Sequence, residues 1–279
     1  MTIWFSTNIP EMRAISTFNR VSTDISEIQH RITTGQRINS GKDDPGGLII
    51  REGLRADIKG IQATQAGMTQ AEIFTDVASG GMMQLLELLR GSDTNNPANG
   101  GLIGAMNGSM SDAQKETFAK DFLKLYDGAV NTTMYNGEKL LGTAGGLTKT
   151  YQLGGGAGTL EVQLSDFTTA SGMGTTLKGA IEATTFDSEA VLGAAQELQT
   201  AIATALGTLG GSQSIVVMNQ RLLDSRLTSV TAAEGRISNA DIAIESSRMA
   251  RAELLAQNAM SSIMYTRNYA AFAVSSLFR

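Results

Sequence analysis

The chain has 279 residues, a formal net charge of −5 and no cysteine. Its lysines and arginines are scattered singly, so it offers no basic stripe for nucleic acid or for an anionic membrane surface. The lack of thiols excludes disulfides and thiolate metal sites, and the length allows one large or two small domains.

The first ten residues, Met1 to Pro10, hold no basic region followed by an apolar run, so no cleaved secretory signal peptide is predicted. No stretch approaches roughly 18 consecutive apolar residues, so membrane insertion is not predicted either. From Phe18 the apolar residues Phe18, Val21, Ile25, Ile28 and Ile32 step by three, four, three and four. That is the seam of a coiled-coil helix, and Thr33-Thr34-Gly35 ends it. Asp44 before Pro45 predicts a helix start, with a carboxylate cap followed by a proline at the first helical position. This second helix places Leu54, Ile58, Ile61 and Met68 on one face and runs to Arg90-Gly91, with Gly80-Gly81 as a weak point.

Residues 91–111 read as loop. Asp112 is the predicted cap of a third helix with Phe118, Phe122, Leu125 and Val130 on its apolar face, ending near Asn136-Gly137. The period then changes to two. Residues 148–153 and 159–164 alternate apolar and polar around Gly154-Gly-Gly-Ala-Gly158, which predicts a β-hairpin over 148–164 with a glycine turn. Residues 165–186, rich in Thr, Ser, Gly and Ala, read as irregular. The last third is helical again. Val216, Leu223, Val230, Ile237 and Ile244 recur every seven residues, and the apolar residues from Met249 to Phe278 spread around the helix, which predicts burial on several sides. Apolar faces at both ends of the chain, with too little between to cover them, imply helix-on-helix association of the two ends and then of copies of the chain.

Two segments carry a specific resemblance. Arg31-Ile-Thr-Thr-Gly-Gln-Arg-Ile-Asn-Ser-Gly-Lys-Asp-Asp-Pro-Gly-Gly-Leu48, continued by Arg55-Ala-Asp-Ile-Lys-Gly-Ile61, resembles the N-terminal signature of bacterial flagellins. Gly235-Arg-Ile-Ser-Asn-Ala-Asp241, Glu245 to Gln257 and the ending Leu277-Phe278-Arg279 are similar to the C-terminal signature, and Tyr135-Asn136-Gly137 with Leu140-Leu141 resembles the family's element before the hairpin. The resemblance implies a mainly α protein whose long terminal helices form an antiparallel coiled-coil bundle, with one small β-hairpin in the middle. It implies an inner domain of 1–40 and 237–279 that lines a filament core. A rod-like helical domain of 41–165 and 187–236 follows, with 166–186 as a short irregular connection where relatives insert outer domains. The implied function is that of a structural subunit, not an enzyme, which self-assembles into the flagellar filament for motility. The alternative is the hook–filament junction protein, which shares both signatures.

The implied partners are copies of the chain, the hook–filament junction and filament cap proteins and an export chaperone. The implied location is extracellular, reached by type III export without a cleaved signal peptide. The subunit contacts implied are Phe18, Val21, Ile25, Ile28, Ile32, Val230, Ile237, Ile244, Leu254, Leu255, Phe272 and Leu277, and the domain turn and helix cap are Arg31, Arg37, Asn39, Asp43, Asp44 and Pro45. Some relatives are sensed by a Toll-like receptor through an arginine-bearing helix near position 90. Here that helix runs into Ser92-Asp93-Thr94, which predicts weak recognition.

Other chemistry is poorly supported. His30, the only histidine, has no partners for a metal or catalytic role, and no cofactor is predicted. Asp43-Asp44 beside Lys42 and Pro45 reads as capping and a local ion pair rather than an acid–base pair. Gly154-Gly-Gly-Ala-Gly158 lacks the Lys-Ser/Thr of a phosphate loop, and the methionines read as gap-fillers in the core and at subunit contacts.

Overall fold

The computed structural model describes residues 9–91, 101–154 and 158–277, with side chains through Asn268. Among them are seven helices and four strands: α1 Ile9–Thr34, α2 Pro45–Arg90, α3 Gly101–Asn107, α4 Asp112–Thr132, β1 Met134–Tyr135, β2 Glu138–Lys139, β3 Leu147–Gln152, β4 Thr159–Leu164, α5 Thr175–Ile181, α6 Ser188–Ser238 and α7 Ile242–Leu277. The fold is mainly α, with long terminal helices packed on each other. The chain forms two compact units, unit 1 of residues 1–58 and 228–279, and unit 2 of residues 59–227.

In unit 1, α1 packs along α7. Val21, Ile28 and Ala252 form its buried cluster, with Ile25, Ile32, Met249 and Ala256 against them. The positions α7 turns inward are Glu245, Ala252 and Ala259, seven residues apart. Large residues on α1 therefore meet small ones on α7, which lets the two helices approach closely.

In unit 2, α2 and α6 run antiparallel. Gln65 Nε2 donates to Asp224 Oδ1 at 2.6 Å and Gln220 Nε2 to Glu72 Oε2 at 2.8 Å, so numbers rise on one helix as they fall on the other. Met68, Phe74, Met82, Leu85 and Leu89 of α2 and Val191, Leu198, Ile202, Leu209 and Val216 of α6 are all buried. The β3–β4 hairpin pairs Leu147 with Leu164 through Gln152 with Thr159. Its buried face of Leu160, Val162 and Leu164 alternates with exposed residues. Tyr151 and Tyr135 both reach the ring of Phe74, with centroids at 6.3 and 6.1 Å, which seats both strand pairs on α2.

Several expectations need correction. There are two antiparallel strand pairs, not one: α4 stops at Thr132, and β1 and β2 turn through Asn136 (φ 52°) and Gly137 (φ 79°). An Asn-Gly pair with two positive φ angles is the tight hairpin turn, a signal that the helical reading overran. Residues 91–111 are not all loop, because Leu102, Ala105 and Met106 of α3 bury one face of a short helix. Ser111, not Asp112, precedes α4 as its cap, with Gln114 Oε1 accepting from the Ser111 N–H at 3.1 Å. The buried face of α4 is Ala119, Phe122, Leu123, Tyr126 and Val130, while Phe118 and Leu125 are exposed. Within 166–186, α5 buries Leu177 and Ile181. α2 runs unbroken through Gly80-Gly81. Ser92-Asp93-Thr94, on which weak receptor recognition rests, lies outside the described residues, as do the side chains of Phe272 and Leu277.

Candidate functional site

The quoted N-terminal signature folds into one stitched turn between α1 and α2, held by bonds within the turn and by bonds to residues 237–240. Gly35 adopts φ +67° and ends α1. The strand-like segment after it pairs with the α6–α7 break: Arg37 N–H donates to the Ser238 carbonyl at 2.6 Å, Ala240 N–H to the Gly35 carbonyl at 2.9 Å, and Gln36 bridges Asn239. Arg37 Nη2 adds a bond to the Ile237 carbonyl at 3.0 Å. Asn39 Nδ2 donates to the Gln36 carbonyl at 3.0 Å.

Asp43 Oδ2 accepts from the backbone N–H groups of Asn39 and Ser40 at 3.1 and 2.9 Å and from the Ser40 hydroxyl at 3.1 Å. These bonds, led by the Asn39 amide and helped by Arg31 at 3.9 Å, hold its carboxyl below the usual carboxylate range. Asp44 Oδ1 accepts from the Gly47 N–H at 2.9 Å, and Pro45 follows it as the first residue of α2. Lys42 reaches Glu27 on α1 at 3.0 Å. The pattern Arg-Ile-Asn-Ser-Gly-Lys-Asp-Asp-Pro is therefore a set of turn-forming bonds, without a catalytic pair.

Two residues central to this region escaped the sequence reading. Arg51 is buried and donates through Nη1 to the Ile38 carbonyl and to Gln36 Oε1, while Nε and Nη2 hold Glu52 Oε1. No local pattern singles out one arginine of a helix as the clamp of a loop. Glu245 is 4% exposed, with Oε1 bonded to Arg248 Nη1 at 2.7 Å. Asp241, whose Oδ1 accepts from Ala243 and Ile244 N–H groups, caps α7. The Asn-Ala-Asp run was a legible cap signal.

The expected contact residues divide into two sets. Val21 and Ile28 are buried between α1 and α7, and Phe18, Ile25, Ile32, Val230 and Ile237 are half-buried. Ile244, Leu254 and Leu255 point outward, 51, 61 and 48% exposed. The break at residues 239–241 shifts the helical phase, so the inward position after Ile237 is Glu245 instead of Ile244. Among the described residues no group of three or more His, Cys, Asp or Glu side chains is placed to hold a metal. α6 is the one described helix long and apolar enough to cross a membrane, with a mean hydropathy of 1.4 over an 18-residue window.

A mainly α chain with paired terminal helices, a stitched turn and an outward apolar face defines a helical protein organised around packing. Comparison with known proteins places it further. Residues 5–145 match the bacterial flagellin N-terminal helical region and residues 192–268 the bacterial flagellin C-terminal helical region. A B-type flagellin of Pseudomonas aeruginosa is 31% identical over 175 residues, covering 60% of this chain and 33% of that protein. A flagellin of Listeria monocytogenes is 24% identical over 277 residues, covering 92% of this chain and 93% of that protein. The chain thus spans about a third of the first relative's length and almost all of the second's. A solved structure of a putative flagellar hook-associated protein from Vibrio parahaemolyticus aligns with a TM-score of 0.47 at 14% identity, covering 71% of this chain and all of that one. The chain belongs to the bacterial flagellin family, whose members are structural subunits of the extracellular flagellar filament.

Proposed function

We propose that this chain polymerises into a flagellar filament for motility and that unit 1 is the part that polymerises. The observation that carries this is the state of α7: α1 covers one side of it, and Ile244, Leu254, Leu255, Met260, Met264 and Tyr265 stand exposed elsewhere on the helix. An apolar surface of that extent on a single chain calls for a partner. The cations agree. Lys42 is the only lysine of unit 1, and apart from His30 its other basic residues are all arginine, whereas the remaining lysines, Lys59 to Lys178, lie in unit 2. Arginine is enriched and lysine depleted at protein–protein interfaces.

In this reading residues 1–40 and 237–279 line the filament core, residues 41–165 and 187–236 form the surrounding layer, and 166–186 stands where longer relatives carry outer domains. Phe18, Val21, Ile25, Ile28, Ile32, Val230 and Ile237 shape the helix pair. Ile244, Leu254 and Leu255, with Phe272 and Leu277, meet neighbouring copies. The turn of Arg31, Arg37, Asn39, Asp43, Asp44 and Pro45 sets the angle at which α2 leaves α1. The chain is non-enzymatic and is exported from the cell. Its other partners are the hook–filament junction protein, the filament cap and an export chaperone. Electron microscopy of purified, salt-precipitated protein tests the reading: long helical filaments are expected, and a preparation that stays monomeric overturns it.

A further inference from the structure

The methionines differ in exposure, and Met83, Met110, Met134, Met173 and Met218 of unit 2 stand exposed. Met68, Met82 and Met106 are buried in unit 2 at 0, 1 and 3% exposure. In unit 1 Met12, Met260 and Met264 are 61, 44 and 62% exposed. Arg267 Nε lies 3.8 Å from Glu11 Oε1, which brings the start of α1 to the far part of α7. Met12 follows Glu11 directly, and Met264 and Met260 precede Arg267 by about one and two turns. The three thioethers therefore sit at the same end of the α1–α7 pair, among the exposed apolar residues Ile9, Ile15 and Tyr265.

We infer that Met12, Met260 and Met264 form an oxidation site through which peroxide controls assembly of the free subunit. This rests on the filament reading above. The sulfur lone pair attacks one oxygen of hydrogen peroxide, an S–O bond forms and the O–O bond breaks. The proton on the transferred oxygen passes to the departing hydroxide, which leaves as water. Sulfur is oxidised by two electrons to the sulfoxide and the peroxide is reduced by two. Exposure decides which methionines react: the core methionines do not, the exposed methionines of unit 2 do, and so do these three of the α1–α7 pair. Each sulfoxide of unit 1 places a strong, unpaired S=O dipole on a surface that assembly must strip of water, and burying such a group without a donor is unfavourable. Reduction by methionine sulfoxide reductases of both stereospecificities reverses the modification.

The test uses the full-length purified subunit, treated with hydrogen peroxide and mapped by peptide mass. One added oxygen is expected at each of Met12, Met260 and Met264 and none at Met68, Met82 or Met106. Pelletable filament should fall at least about tenfold after treatment and return after reductase treatment. A Met12→Leu/Met260→Leu/Met264→Leu variant, which keeps the apolar volume, should polymerise equally with and without peroxide. Normal polymerisation of oxidised wild-type protein, or equal inhibition of the triple variant by peroxide, overturns the inference. Failure of untreated wild-type protein to polymerise is a separate result that overturns the filament reading itself.

Discussion

Asp166 ties the loop after β4 to the segment before β3. Its Oδ2 accepts from the Gly145 N–H at 3.1 Å and the Ser171 hydroxyl at 2.9 Å, and its Oδ1 from the Thr168 N–H at 2.9 Å. Burial pushes its pKa up, but these bonds and the Thr168 side chain together outweigh that, and the carboxyl is held below its ordinary value. A carboxylate depressed in the folded state contributes stability above its unfolded pKa of about 4, and that contribution is lost as the pH falls through the folded value. Asp166→Asn should therefore destabilise unit 2 by ~1–3 kcal/mol at neutral pH. The gap between variant and wild type should narrow as the pH falls below about 4. Thermal melts across that window check it, and a gap independent of pH would contradict the role given to the charge. Tyr126 makes a similar tie, its hydroxyl donating to the Phe167 carbonyl at 2.9 Å, and burial raises its pKa.

At the scale of the element, two glycines of α2 make opposite predictions from the same substitution. A Cβ on Gly47 would lie 2.4 Å from Asp44 Oδ2 and 2.7 Å from Ile38 Cδ1. The cap and the buried loop residue occupy that space, so Gly47→Ala should cost about 1–3 kcal/mol. A Cβ on Gly60 meets nothing within 4 Å. Gly60→Ala, in the helix interior, should stabilise by ~0.5–1 kcal/mol because alanine loses less backbone entropy on folding. Chemical denaturation followed by circular dichroism measures both, and two changes of the same sign would refute the account of the cap. Such a distinction is invisible in a helical wheel, since both residues are simply glycines in a helix.

For the whole molecule, the two sets of contact residues separate folding from assembly. Ile28 is buried against Val21 and Ala252. Ile28→Asp places an unpaired carboxylate between α1 and α7 and should destabilise the pair by ~3–5 kcal/mol, and filaments should be lost with it. Leu255 faces outward in the single chain. Leu255→Asp should change monomer stability by no more than ~0.5 kcal/mol and still prevent filament formation. Sedimentation and thermal melts on both variants check this. Filaments from Ile28→Asp would remove the seam from the assembly, and filaments from Leu255→Asp would remove the outward face of α7.

The amino-acid sequence by itself determined the helical ends, the β3–β4 hairpin and the start of α2, because periodicity, a capping aspartate and an Asp-Pro step act within a few residues. Its two terminal signatures were legible by resemblance, and the bonds of Asn39, Asp43 and Asp44 in the turn do join near neighbours. Only the tertiary structure decided the rest. The seven-residue repeat runs on from Ile237 to Ile244 as if no break existed, yet the pairing of Gln36 with Asn239 interrupts the helix there and turns Glu245 inward. The glycine-rich stretch before α4 hid α3, whose Leu102, Ala105 and Met106 are helical because unit 2 offers them a core. A period belongs to one helix and can be counted along it, whereas which face is covered depends on a segment distant in sequence that arrives only when the chain folds.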